Sequence, residues 1–219
     1  MHTLIVNFKT YEHGTGRKAI ELVTMCAALA HKHPTVSVLL ALQPADLCAA
    51  HQAAPRHVIS QHIDAIYYGA HTGHILLESI QEQGAIGSLM NHSEKRIPEK
   101  DILYIIKRLK KRKMLSVLCV KSASEVKKYR KYEPHVMALE PPELIGGNVS
   151  VSTTHPGVIK HAVAAAGKIP LLVGAGVHTA EDVRIALSLG AQGVLVASDI
   201  LKSTNPKKEL LGLLDGFLI

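Results

Sequence analysis

The sequence predicts an α/β fold, a closed (β/α)8 barrel forming one domain over residues 1–219. Three observations predict it. Apolar runs of strand length alternate with longer stretches of helical period, and roughly eight such units fit the chain. The strand candidates include continuous apolar runs, such as Leu171-Leu172-Val173 and Val194-Leu195-Val196, as parallel strands covered on both faces require. The first strand runs into NFKTYEHGTG, not into the glycine-rich phosphate turn that an open doubly wound sheet normally carries there.

In order, Leu4–Phe8 is the first strand and Arg17–His31 the first helix. Val36–Leu42, Val58–His62 and Ile86–Met90 follow as strands, with only Ile75–Gln83 offering a helix before the fourth. Pro98–Arg112 is helical, Leu115–Val120 is the fifth strand, Ala123–Lys131 is helical, and Val136–Glu140 is the sixth strand. Pro156–Ala166 and Ala180–Leu189 are helices flanking and following the seventh strand, Pro170–Gly174; Gly193–Ala197 is the eighth, and Pro206–Leu214 follows as a helix. Crossover helices between parallel strands are the ordinary solution for this alternation. No Pro- or Ser-rich linker divides the chain.

Composition narrows the function. No apolar stretch is long enough to span a bilayer. Leu4-Ile5-Val6 is cut short by Asn7 and Lys9, so it does not read as a secretory signal; a cytoplasmic protein without a membrane partner is expected. Cys26, Cys48 and Cys119 are odd in number and lack CxxC spacing, which points to buried free thiols. The formal net charge is +7, with much of the excess between Lys107 and Lys131 on two amphipathic helices. Such faces are normally the solvated outer side of a domain, and aromatics for base stacking are scarce there, so no nucleic-acid partner is expected.

A barrel of this type builds its active site at the C-terminal ends of its strands, and the unusual residues gather there. After the first strand come Asn7 and Lys9, spaced i, i+2 and so expected to project to one side. A lysine there can hold a phosphate or a developing oxyanion as a compact charge. After the fourth strand comes NHSEKR (91–96), with His92 where the chain leaves the barrel and begins a short helical turn. A helix N-terminus disfavours the imidazolium form, leaving a neutral ring that donates to a carbonyl oxygen. The competing reading is a capping cluster, with Ser93 as cap and Glu94 paired to Arg96.

After the sixth strand, Glu140 is placed to abstract a proton. Pro141-Pro142 stiffen the chain beyond it, Leu144-Ile145 make an apolar tip, and Gly146-Gly147 permit unusual backbone angles. These features suit a lid, or else a surface loop leading to the next helix. After the seventh strand come Gly174-Ala175-Gly176, and after the eighth Ala197-Ser198. Small residues in those two loops let backbone N–H groups approach a phosphate. No acidic or histidine cluster has metal-ligand spacing, since His31-Lys32-His33 lies at a helix end. The class implied is metal-free proton transfer α to a carbonyl on a small phosphorylated substrate.

At this point the chain resembles the short, archaeal-type triosephosphate isomerases. The resemblance rests on VNFKTY (6–11), SQHIDA (60–65), GAHTGHI (69–75), NHSEKR (91–96), LEPPELIGG (139–147), GAGV (174–177) and GVLVAS (193–198), which together run along nearly the whole chain. Phosphate-binding barrels of tryptophan and thiamine biosynthesis share the glycine-rich late loops, but not N-x-K, N-H-S-E and E-P-P in this order. The resemblance implies a TIM barrel whose outer helices are trimmed, given the short chain. It implies cofactor-free interconversion of dihydroxyacetone phosphate and glyceraldehyde 3-phosphate in glycolysis and gluconeogenesis. The resemblance further implies Glu140 as the base, His92 as the neutral electrophile and Lys9 as the stabiliser of the enediolate. Asn7 would position Lys9 and touch substrate, while backbone around Ile145, Gly176, Ala197 and Ser198 would grip the phosphate. The lid reads Ile145-Gly146-Gly147-Asn148 where short forms often have Gly-Thr-Gly, and Asp199 stands where a glycine is common, beside that grip. The segment around Thr72 matches a loop inserted into a neighbouring subunit, implying a homodimer or homotetramer.

Overall fold

A computed structural model describes residues 1–141 and 156–218. Eight strands close into a parallel barrel in sequence order, β1 to β8, with β8 also pairing β1. They are His2–Asn7 (β1), Val36–Leu42 (β2), Val58–Ser60 (β3), Gly87–Met90 (β4), Leu115–Val120 (β5), Val136–Leu139 (β6), Leu171–Val173 (β7) and Gly193–Val196 (β8). Every strand therefore falls where the apolar runs place it. The trimming at the C-terminal ends is small and physical: Phe8, Glu140 and Gly174 each still donate one backbone bond to a neighbouring strand before the chain turns into the mouth.

The helices are Gly16–Lys32 (α1), Leu47–Ala53 (α2), Leu77–Glu82 (α3), Glu99–Lys111 (α4), Ala123–Tyr129 (α5), Pro156–Ala166 (α6), Ala180–Ser188 (α7), Ser198–Leu201 (α8) and Pro206–Asp215 (α9). Trimming takes the form of shortening, since α2, α3 and α5 are each only six or seven residues long. The helix expected to reach Lys131 ends at Tyr129 and tightens into a 3-10 turn, because Glu133 adopts φ 51 to swing the chain into β6. α1 buries Ala19, Leu22, Val23, Cys26, Leu29 and Ala30, a stripe at i, i+3, i+4 spacing that seats it on the barrel. α7 starts at a reciprocal capping box between Thr179 and Asp182.

Side chains alternate along each strand. One set, including Ile5, Leu39, Ala41, Ile59, Leu89, Val117, Cys119, Ala138, Leu172 and Leu195, fills the barrel interior. The other packs under the helices. Two residues beyond Ile5, Ala138, Leu172 and Leu195 come Asn7, Glu140, Gly174 and Ala197, so the inward alternation delivers these four to the mouth. Closure needs a glycine at the β8–β1 seam: Gly193 has φ +153, and a Cβ there would lie 1.8 Å from the Thr3 carbonyl oxygen.

The basic stretch on α4 and α5 behaves as an outer face. α4 buries Ile102, Ile105, Ile106 and Leu109 inward. Several charges of the stretch are engaged: Arg108 and Arg112 with Glu78, Lys110 with Glu133, and Lys128 and Lys131 with Glu99. One cysteine expectation fails. Cys26 and Cys119 are buried, but Cys48 is exposed because it follows the inward-facing Leu47 on the short α2. Among the described residues no helix is long and apolar enough to cross a membrane, and no group of three or more metal-ligating side chains is assembled.

Candidate active site

The barrel mouth brings together most of the residues expected there. Lys9, His92, Glu140, Gly176, Ala197 and Ser198 line one small cleft of about 60 Å³. Asn7, Lys9 and His92 line an adjoining one of about 130 Å³. A larger hollow, about 450 Å³, lies between α1 and the start of α9 and contains none of these residues. Ile145, with the rest of the expected lid beyond Pro141, lies outside the described residues.

Lys9 arrives by a route other than the strand pleat. β1 ends at Asn7, and Lys9 takes the left-handed backbone conformation at φ 46. Asn7 Oδ1 accepts the Lys9 N–H at 3.1 Å, and Gln61 Nε2 donates to the Lys9 carbonyl at 2.8 Å. The turn is thus held from both sides. Its ammonium group meets Glu94 Oε1 at 2.8 Å, with the Lys9 side chain largely buried.

His92 is not at a helix N-terminus: α4 begins only at Glu99, and a single turn, closed by Lys95 N–H to the His92 carbonyl at 2.9 Å, follows the histidine. The capping alternative also fails. Ser93 Oγ is buried without a hydrogen-bond partner, Glu94 pairs with Lys9, and Arg96 pairs with Glu125. What fixes the ring is local. The Glu94 backbone N–H donates to Nδ1 at 3.2 Å, so the neutral ring carries its proton on Nε2. Nε2 lies 3.1 Å from Glu140 Oε1.

Glu140 is almost wholly buried, and its Oε2 has no hydrogen-bond partner. Two neighbours make room for it and define its surroundings. Gly174, across the β6–β7 seam, is where a Cβ would come 2.6 Å from Glu140 Cγ. On the other side is Cys119: burial first, and the Glu140 carboxylate second, push its thiol well above the ordinary range, so it stays protonated beside the carboxylate. A buried carboxylate with a free oxygen, facing one N–H donor, is competent to take a proton from carbon.

Sequence reasoning missed Asn91 and Gln61, and it read Cys119 only as a buried thiol and Gly174 only as part of a phosphate loop, not as neighbours of Glu140. Asn91 is fully buried at φ 58; its Nδ2 donates to the Cys119 carbonyl at 3.0 Å and its Oδ1 accepts from Ile97 N–H at 3.1 Å. That conformation aims His92 at Glu140, and asparagine tolerates it better than most side chains. An asparagine at a strand end is the one signal the sequence carried.

The family profile described as triosephosphate isomerase matches residues 2–213. A triosephosphate isomerase of Thermoplasma volcanium is 42% identical over 216 residues, covering 98% of this chain and 100% of that protein. One of Methanothermobacter thermautotrophicus is 41% identical over 214 residues, covering 96% and 93%. Among solved structures, a triosephosphate isomerase of Bartonella henselae superposes with a TM-score of 0.73 at 18% identity, over 100% of this chain and 99% of that one, which speaks to the fold alone.

Proposed function

The chain belongs to the triosephosphate isomerase family, and on that premise we propose that Glu140, His92 and Lys9 divide the chemistry among them. The reaction is the interconversion of dihydroxyacetone phosphate and D-glyceraldehyde 3-phosphate, an aldose–ketose isomerisation of glycolysis and gluconeogenesis. The Glu140 carboxylate takes a proton from C1 of the ketose. The C–H electron pair forms the C1–C2 double bond, and the C2 carbonyl pair moves onto oxygen. The C1 hydroxyl proton passes to the C2 oxygen, the C1 oxygen pair re-forms a carbonyl, and the C1–C2 double-bond pair takes the proton back from Glu140 at C2, which leaves the aldehyde and a C2 hydroxyl. His92 Nε2–H hydrogen-bonds the substrate oxygens as charge develops, and the Lys9 ammonium stabilises that charge.

The observation that carries the reading is the 3.1 Å contact of His92 Nε2 with Glu140 Oε1. Without substrate, donor and base satisfy each other. A triose carbonyl entering between them takes the N–H, and its adjacent C–H meets the freed carboxylate. Asn7 supports Lys9, while the backbone at Gly176, Ala197 and Ser198 is assigned to the phosphate.

The test is a coupled assay in both directions on the wild type and Glu140→Gln. A general base of this kind contributes about 10²–10⁴-fold. A kcat loss of at least 10²-fold with KM little changed supports the assignment. A loss under tenfold removes Glu140 as the base.

We also propose a homodimer or homotetramer. Residues 67–74 are exposed throughout and include Tyr67 and Tyr68, at 57% and 62% exposure. Two exposed tyrosines on one exposed segment suit burial against a second copy. Sedimentation equilibrium giving twice or four times the chain mass is expected; a monomer at micromolar concentration overturns this. A cytoplasmic location, where the glycolytic reaction runs, completes the proposal and is checked by cell fractionation.

A further inference from the structure

His178 and Asp199 stand side by side at the end of the cleft formed by Gly176, Ala197 and Ser198. His178 follows Gly176 by two residues, and Asp199 comes directly after Ser198, in the first turn of α8. His178 Nδ1 lies 2.8 Å from Asp199 Oδ1. The His178 backbone N–H donates to Asp182 Oδ2 at 3.0 Å, so the residue is fixed at the entry to α7. Its other ring nitrogen, Nε2, is buried and has no hydrogen-bond partner.

A buried imidazole nitrogen without a partner calls for an explanation. So does Asp199, because a carboxylate beside a dianionic phosphate repels it, and a partly buried pair is screened less than an exposed one. The two oddities resolve each other. With Nδ1–H donated to Asp199 and a second proton on Nε2, the pair is neutral overall, the carboxylate is masked, and Nε2 becomes a donor. Among the described residues lining this cleft, Lys9 is the permanent cation, and it is already paired with Glu94 at 2.8 Å. Backbone N–H groups supply only partial charges. An imidazolium N–H would supply a charge-assisted donor.

We propose that His178 is a phosphate-binding residue of this chain, held by Asp199 so that its Nε2–H donates to a phosphate oxygen of the triose phosphate. The proposal rests on the reading that Gly176, Ala197 and Ser198 form the phosphate end of the site. Asp199 acts through His178 and is a positioning residue.

The test uses three full-length variants, His178→Asn, His178→Gln and His178→Asn/Asp199→Gly, with inorganic phosphate as competitive inhibitor. Asparagine can keep the bond to Asp199 but loses the Nε2 donor and leaves the carboxylate unmasked. His178→Asn is expected to raise KM and the phosphate inhibition constant about tenfold each, corresponding to about 1.4 kcal/mol, with kcat falling less than threefold. His178→Gln, which places an amide donor near the Nε2 position, is expected to recover part of the loss. The double variant is expected to return KM to within about threefold of wild type, since the repelling charge is gone.

KM and phosphate inhibition within twofold of wild type in His178→Asn overturn the proposal. So does an equal loss in the single and double variants that appears in kcat and thermal midpoint. A wild-type enzyme that isomerises triose phosphates but is not competitively inhibited by phosphate refutes the phosphate-site reading itself, which separates the two failures.

Discussion

His92 and Glu140 face each other at 3.1 Å across the barrel mouth, ring N–H against carboxylate oxygen. One comes from the loop after β4 and the other from the end of β6, and each is aimed by a neighbour that does no chemistry: Asn91 for the histidine, Gly174 for the glutamate. On the proposed reading, a substrate carbonyl entering between them parts the pair.

His92→Asn removes the Nε2 donor proposed to face the developing oxyanion. Loss of one such donor lowers kcat by about 10²–10³-fold, and KM is expected to move by less than fivefold, about the effect of one ordinary hydrogen bond. Steady-state kinetics in both directions check this. A large rise in KM with kcat intact would instead make His92 a binding residue.

Gly174→Ala tests the seat of the base. The new methyl group would lie 2.6 Å from Glu140 Cγ, so the carboxylate has to move. Overpacking of this kind costs about 1–3 kcal/mol, and a displacement near 1 Å at a reacting group costs about 10²-fold in rate. The expected result is a kcat drop far larger than the modest fall in thermal midpoint; kinetics and calorimetry on the same preparation decide it.

The barrel was legible because parallel strands buried on both faces leave continuous apolar runs that stop at polar residues. Asn7, His92 and Glu140 stood out as those stops. The short α2 was not legible, since seven residues after Pro44-Ala45-Asp46 hold too little period to register. The short turn expected at His92 is there, but one closed turn lacks a following ladder, so the helix N-terminus inferred from it is not. Supporting roles were invisible because they depend on partners distant along the chain. Gln61 reaches the Lys9 carbonyl and Asn91 the Cys119 carbonyl, at separations of 52 and 28 residues.

Asn91→Ala removes one buried and one part-buried hydrogen bond and leaves a left-handed backbone that alanine resists. Together these are expected to lower stability by about 2–4 kcal/mol. Urea unfolding should show a lower midpoint with an unchanged slope, and kcat should fall along with it because His92 loses its aim.

Glu78 governs a pH response far from the chemistry. Burial by itself raises its carboxyl, but Arg108, whose Nη2 donates to both carboxylate oxygens, and Arg112 at 2.8 Å outweigh burial and hold it below its ordinary value of 4.5. A carboxyl depressed in the folded state stabilises fully above its unfolded value, and that stability is lost as pH falls through the folded value. The thermal midpoint should therefore hold from neutral pH down to about 5 and drop in more acid solution. Glu78→Gln should have a lower midpoint at neutral pH and a shallower acid decline. Thermal scans from pH 7 to 3 compare the two slopes, and parallel slopes would exclude Glu78 as a source of the decline.

The missing methyl group at Gly174 has a consequence for how errors in assembly are exposed. Leu139 and Val173 are partners in the β6–β7 ladder, and Gly174 donates to the Leu139 carbonyl at 2.8 Å. A slip of one residue would keep many backbone bonds, yet it would set Val173 or Ala175 against the glutamate and turn the inward side chains outward. Such a chain could pass for native in helix content and compactness while being inert. For this barrel, turnover per molecule is the more searching measure of correct refolding, because the carboxylate has a place to sit only when two neighbouring strands agree on their register.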